Sequence, residues 1–269
     1  MKNKLYKDTF SQVRSASQNK MEVIMNYNTK SKTIRKPALV AAVIIATLIL
    51  SVSVYAIISL LTPAEIAREF GEDLLAAAFE DGRGISIQDS VTSHGHIFTL
   101  HGFAVGSNLS AYRDYTRIES DKSYFVISIR RADGTALDIT EGYAGKYASN
   151  ILFQGYKPWM VNAITLEGAI GSAFEKDGVI YIVYECGENI EMFADDEIYF
   201  AMWEQNGVGF SPGPEIFTMH EDGSITFTEG AEFGHAMWTL PIDPNRADPD
   251  LVAKTLDELG IAMEDACIN

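Results

Sequence analysis

Ser123-Tyr124-Phe125-Val126-Ile127-Ser128-Ile129 and Val179-Ile180-Tyr181-Ile182-Val183-Tyr184 decide the class of fold. Both are rich in β-branched and aromatic residues, which fit a pleated, half-buried surface. His96-Ile97-Phe98-Thr99-Leu100 and Ile198-Tyr199-Phe200-Ala201-Met202-Trp203 share that texture, and Ile85-Ser86-Ile87-Gln88 alternates. Between such runs stand three Asp-Gly steps, Asp133-Gly134, Asp177-Gly178 and Asp222-Gly223. Each is a hairpin signal, because a type I′ turn needs positive φ at both central positions. The clearest hairpin is Ile216-Phe217-Thr218-Met219, a turn, then Ser224-Ile225-Thr226-Phe227. Short strands punctuated this way predict an immunoglobulin-like β-sandwich over residues 85–243, long enough to bury a core.

Helices are expected on both sides of it. Thr62-Pro63-Ala64-Glu65 combines a capping residue, proline at the first helical position and the acid of a capping box. Ile66, Phe70, Leu74 and Ala78 follow at helical spacing, so one helix is expected over 62–84, ending near Asp81-Gly82. Asp248-Pro249 opens another within 244–269, with Leu251, Val252, Thr255, Leu256 and Leu259 on one side and Gly260 as its stop. It is expected to pack on the sheet or on the first helix. The segment from Asp138 to Pro158 is less regular and is read as a loop; its neighbourhood holds Tyr143, Tyr147, Tyr156 and Trp159. These aromatics are read as packing residues, although exposed loop aromatics also bind ligands.

Ahead of all this, residues 38–61 read ALVAAVIIATLILSVSVYAIISLL, with no charge over 24 positions. As a helix the run would be about 36 Å long, enough to cross a hydrocarbon core of about 30 Å. Its flanks differ. Lys30, Lys32, Arg35 and Lys36 precede it, whereas Arg68 is the first base after it. The positive-inside rule then places the N-terminus in the cytoplasm and the C-terminal part outside, in a single-pass cell-membrane protein. Val54-Tyr55-Ala56 resembles a signal-peptide cleavage site, but the 37 residues before the apolar run are long for such a leader.

Charge divides along the same line. Of 269 residues with net charge -16, residues 1–37 hold nine Lys+Arg against two acids, and residues 62–269 hold twelve against 35. An outer part of net charge -23 repels phosphate, which argues against a nucleic-acid partner. No G-x-S-x-G, H-E-x-x-H or phosphate-loop pattern occurs, so the chain is read as a non-enzyme needing no cofactor. If Ser93-His94-Gly95-His96 is a strand, His94 and His96 share a face, with His101 on the other, but a third metal ligand is missing from the pattern; the alternative is a polar hairpin entry. The acidic groups at 188–191 and 195–197 lack calcium-loop spacing. Cys186 and Cys267 would be free to pair outside the cytoplasm, and their separation is not readable from sequence.

In the tail, Tyr6, Phe10 and Val13, then Met21, Ile24 and Met25, suggest two short amphipathic helices joined by a polar turn. Such helices are marginal alone and dock either on a partner groove or on the membrane surface. Leu5-Tyr6-Lys7-Asp8-Thr9-Phe10-Ser11-Gln12-Val13-Arg14, the basic patch and the one span resemble Gram-positive bacterial membrane-anchored anti-sigma-factor-like proteins. Ala67-Arg68-Glu69-Phe70-Gly71, Ala76-Ala77-Ala78-Phe79-Glu80 and the stretch 85–100 are similar to an extracytoplasmic domain of unknown function in that family. The resemblance implies a cytoplasmic sigma factor held by Tyr6, Phe10, Val13, Met21, Ile24 and Met25, and an outer domain that senses or anchors. The chain differs from the zinc-binding class in having no His-x3-Cys-x2-Cys pattern in its first 37 residues. The competing reading is a tethered binding or adhesion module with an inert tail.

Overall fold

The computed structural model describes residues 60–109, 122–137, 146–166, 168–187, 189–206, 208–209 and 211–267. The basic N-terminal segment and the body of the apolar run, residues 1–59, lie outside the described residues. Among the described residues no helix is long and apolar enough to cross a membrane.

The first helical stretch obeys its capping signals but is two helices. In α1 (Pro63–Glu69), Thr62 Oγ1 accepts from the Glu65 N–H at 3.3 Å and Glu65 accepts from the Thr62 N–H at 2.8 Å. These hydrogen bonds also hold the Glu65 carboxyl below the usual carboxylate range. Gly71, at φ +75°, then ends α1: its N–H reaches the Arg68 carbonyl and the Glu72 N–H reaches Ala67. That paired closure is a Schellman motif, and glycine adopts it without a Cβ clash. The chain restarts as α2 (Asp73–Glu80), which ends at Gly82 as the sequence predicts.

Ten strands follow. β1 (Ile85–Ser93), β2 (His96–Ala104), β3 (Ser123–Arg131), β4 (Tyr147–Phe153), β5 (Ala169–Lys176), β6 (Val179–Cys186) and β7 (Ile198–Glu204) come before β8 (Phe217–Met219), β9 (Ile225–Phe227) and β10 (His235–Thr239). Short helices α3 (Gly106–Leu109) and α4 (Ala163–Leu166) lie between strands, and α5 (Pro249–Glu258) and α6 (Met263–Ala266) close the chain. The strands form an antiparallel five-stranded sheet, order β1-β2-β3-β6-β5, an antiparallel three-stranded sheet, order β10-β7-β4, and the β8-β9 hairpin.

Side-chain alternation assigns the layers. In β3 and β6, Phe125, Ile127, Ile129, Ile180, Ile182 and Tyr184 meet Ile151, Phe153, Phe200, Met202 and Trp238 of the smaller sheet. The opposite parity, Tyr124, Val126, Val179, Tyr181 and Val183, meets Ile66, Ala67, Leu75, Ala76 and Ala78 of α1 and α2. On the far side of the smaller sheet, Leu152, Tyr199, Ala201 and Trp203 meet Ile216, Phe217 and Ile225 at the hairpin. The order is helices, large sheet, small sheet, hairpin.

The turns sort the Asp-Gly signals. Asp177 (φ +55°) and Gly178 (φ +78°) make the expected primed turn between β5 and β6. Between β8 and β9 only Gly223 is left-handed, and the Gly223 N–H closes on the His220 carbonyl, so the loop is a three-residue turn. Asp133-Gly134 is a correction: the chain turns there after β3, yet β3 pairs with β2 and β6 and the next strand belongs to the other sheet.

The segment read as a loop contains β4, buried along its whole length. Its polar centre explains the misreading. Asn150 donates from Nδ2 to Asn162 Oδ1 at 3.0 Å, and both residues are buried. Asn162 Oδ1 also accepts from the N–H groups of Ile164 and Thr165, opening α4, while its Nδ2 donates to the Pro158 carbonyl at 2.7 Å. Asp248 caps α5, with its carboxylate accepting the Leu251 N–H at 3.0 Å. Val252 and Leu256 of α5 join the core between the sheets, and the Asp248 N–H reaches the Met192 carbonyl, so the helix packs beside the short turn Ile190–Phe193.

Asn162→Ala leaves the buried Asn150 amide without its acceptor and removes the acceptor of two part-buried backbone N–H groups. It should cost roughly 2–4 kcal/mol in chemical denaturation, whereas Thr218→Ala on an exposed position should stay within about 0.5 kcal/mol. Equal midpoints for the two variants would refute the bridging role of Asn162.

Candidate functional site at the free edge of the large sheet

Among the described residues β5 is an edge strand, with sequence Ala169-Ile170-Gly171-Ser172-Ala173-Phe174-Glu175-Lys176. Its small residues leave little side-chain bulk over the backbone. The Gly187 N–H donates to the Gly168 carbonyl. In an antiparallel ladder hydrogen-bonded pairs alternate. Even-numbered residues of β5 therefore turn their backbone groups toward β6, and Ala169, Gly171, Ala173 and Glu175 turn theirs outward. The opposite edge, β1, is interrupted by a bulge between Ser86 and Asp89, where Gln88 has φ +57°. Bulges are a common protection of sheet edges, and β5 pairs with β6 in unbroken register without one.

Side chains at the even positions face the helices. Phe174 stacks on Tyr181 at 5.2 Å and meets Phe70 edge-on at 5.0 Å. Ile170 lies beyond the helix cover and is 68% exposed. It borders two adjoining hollows that also share Glu185. The larger, about 370 Å³, is lined by Lys122, Gly168, Ala169 and Gly187 as well, and the smaller, about 120 Å³, by Phe70, Glu72, Tyr124, Ser172 and Val183. Lys122 Nζ donates to Glu185 Oε1 at 2.6 Å along the larger hollow. An edge with outward donors and acceptors, beside an apolar anchor, has the chemistry to receive an extended chain.

The histidines form no comparable site. His94 (φ +47°) and Gly95 (φ +77°) are the two turn residues of the β1-β2 hairpin, so His94 and His96 do not share a strand face as the strand reading expects. The His96 ring packs against Phe98 and Tyr147, with Nδ1 donating to the His94 carbonyl at 3.1 Å. The His235 ring lies 5.8 Å from that of His94. Among the described residues no group of three or more His, Cys, Asp or Glu can hold a metal ion. His101 is on the helix-facing side as strand parity implies, fully buried, with its Nε2 2.8 Å from Ser128 Oγ and its ring beside Tyr181. Cys186 and Cys267 are both free thiols, and burial pushes Cys186 up to about 12, well away from thiolate reactivity.

No protein-family model, curated protein or solved structure matches the chain. The tail residues singled out by the sequence, Tyr6, Phe10, Val13, Met21, Ile24 and Met25, lie outside the described residues. The β5 edge was not singled out, since Gly171, Ser172 and two alanines dilute its strand texture. Its one signal was Asp177-Gly178, a hairpin turn that requires a strand on its N-terminal side.

Burial lowers His101 to about 4, against an ordinary 6.5, because the imidazolium would lose its hydration. The unfolded chain therefore binds the proton first. This contribution is complete above about pH 6.5 and is lost as pH falls toward about 4. The full loss is about 3 kcal/mol, of which roughly 2 kcal/mol falls between pH 7 and 5. Denaturation midpoints should fall accordingly in the wild type and less steeply in His101→Gln. A profile unchanged by the substitution would show that another group carries the pH dependence.

Proposed function

We propose that the chain is a single-pass membrane regulator of the anti-sigma-factor-like kind. In this reading its basic tail binds a cytoplasmic sigma factor, and its β-rich domain, an immunoglobulin-like sandwich in general shape, senses or anchors outside. The observation that supports regulation over tethering is where the last two residues of the apolar run lie. Leu60 and Leu61, the last residues of that run, pack into the cluster shared by α1, α2 and the large sheet. The Leu61 N–H lies 3.4 Å from the Tyr181 hydroxyl, and the next residue, Thr62, already caps α1. A tether works best with a flexible polar linker, which decouples the module from its anchor. Here a displacement of the large sheet reaches Leu60 and Leu61 through packed side chains. The charge split, net positive on the tail side of the run and net negative beyond it, supports the assignment of sides.

A tethered adhesion module is the second reading, supported by the free β5 edge and exposed Ile170, which suit capture of a partner without any signal. Insertion of two Gly-Gly-Ser repeats after Leu61 separates the two. In a regulator the insertion should abolish the response of sigma-dependent transcription to deletion of residues 85–267, with the membrane-bound amount unchanged. Adhesion, by contrast, should survive it.

The tail is tested directly. Residues 1–37 should recover a sigma factor from lysate, and Phe10→Asp with Val13→Asp should reduce recovery by about tenfold, the loss of roughly 1.4 kcal/mol of apolar anchoring. Equal recovery by both would remove the sigma factor from the proposal.

A further inference from the structure

We propose that β5 pairs antiparallel with β5 of a second copy of this chain, about a two-fold axis at Ser172, joining two five-stranded sheets into one. The inference uses the membrane reading above only for the confinement of the two copies.

The backbone permits this register. With the axis at Ser172, Gly171 of one copy faces Ala173 of the other, and Ala169 faces Glu175. All four are positions whose N–H and C=O groups point outward, so facing residues exchange ladder hydrogen bonds. A register shifted by half a step would set outward groups against inward ones.

The side chains favour a second copy over an arbitrary extended peptide. On the helix-facing side Ile170 comes opposite Phe174, which covers the exposed apolar residue at this edge with the aromatic already stacked on Tyr181. On the other side Glu175 comes opposite Ala169, and on the helix-facing side Lys176 comes opposite Gly168, so no like charges meet. A peptide of unrelated sequence would satisfy the backbone but not this self-complementarity.

The symmetry also suits two chains in one membrane. A two-fold axis between antiparallel strands is normal to the sheet, so each face maps onto itself. Both α1-α2 layers, and both points where Leu60 and Leu61 join the domain, then lie on the same side of the joined sheet. A parallel pairing would place them on opposite sides. Residues 62–269 carry a net charge of -23, so free copies repel one another. Anchoring in a shared bilayer supplies the effective concentration that one strand pair by itself lacks.

Ser172 is an exposed residue that would oppose its own copy in a non-hydrogen-bonded pair, where Cα atoms are about 4.5 Å apart, within reach of a disulfide. The test uses the full chain in membranes, in a Cys267→Ser background, oxidised and run on a non-reducing gel. Ser172→Cys should give a linked dimer. Ser86→Cys, on the opposite edge, should give little. Ala173→Pro, added to Ser172→Cys, removes an outward N–H that an edge strand can spare and should abolish the linked band while leaving the circular dichroism spectrum intact. Absence of the Ser172→Cys dimer, an equal dimer from Ser86→Cys, or persistence of the band with Ala173→Pro would each overturn the pairing. Fractionation of the same cells reports the membrane reading separately: protein in the soluble fraction defeats that reading, while the linked band still decides the pairing.

Discussion

The constraint on which the rest depends is that β3, β6 and β7 are apolar on both faces. A sheet whose central strands alternate apolar with polar residues needs one partner layer; these strands need two. Tyr124, Val126, Tyr181 and Val183 would otherwise meet water on one side of the large sheet, and Tyr199, Ala201 and Trp203 on the far side of the small one. At about 1.5–3 kcal/mol for each large apolar side chain removed from water, cover for either outer face is worth more than most single polar contacts. The helices and the β8-β9 hairpin supply that cover. By comparison the ion pairs Arg68–Glu80, between α1 and α2, and Lys176–Glu69, between β5 and α1, are exposed and contribute little beyond orientation.

Covering the faces of a sheet does not cover its edges. The β1 edge is bent by the bulge before Asp89. The β5 edge is straight, and the helix layer ends short of it, so Phe174 is covered and Ile170 is not. The partial cover follows from where Gly71 stops α1. The chain turns back at Phe70-Gly71-Glu72, and the hollow bounded by Phe70, Glu72 and Ile170 is the space it leaves. A single unbroken helix over 62–84, as its apolar spacing suggests, would have made a different surface. The Gly71 signal was present in the sequence; the regular apolar spacing on either side of it masked the stop.

What was legible divides along physical lines. Signals that act within a few residues were readable: the Thr62 capping box, the Asp248 cap, the primed turn at Asp177-Gly178 and the left-handed stop at Gly82. The strand runs rich in Val, Ile, Tyr and Phe were readable because propensity and burial agree in them. Features that depend on a distant partner were not. β4 holds Ser149 and Asn150 at its centre, and Asn150 is tolerated there only because Asn162 satisfies it. Asp133-Gly134 turns the chain, but whether a turn makes a hairpin depends on which sheet receives the next strand. Of the two readings of Ser93-His94-Gly95-His96, the hairpin entry is the one found, with the turn between β1 and β2 passing through His94 and Gly95. The composition of β5 was legible; its place at an edge was a property of the assembled sheet.

The regulator and tether readings differ in what they ask of the junction with the apolar run, and the packing there is continuous with the edge. The Leu61 N–H rests near the Tyr181 hydroxyl, the Tyr181 ring stacks on Phe174, and Phe174 belongs to β5. A partner strand added to β5 therefore lies one side chain from the residue that receives the chain out of the apolar run. Aromatic stacks in a close-packed interior do not slide freely, because a gap of half an ångström already forfeits a sizeable part of the contact energy. Any rearrangement at the edge large enough to move Phe174 must be taken up by Tyr181 or passed to Leu61. With no linker between Leu61 and the capped start of α1, the domain offers few other places for that strain to go. Leu61 is thus tied to the large sheet through the same aromatic contacts that meet the β5 edge.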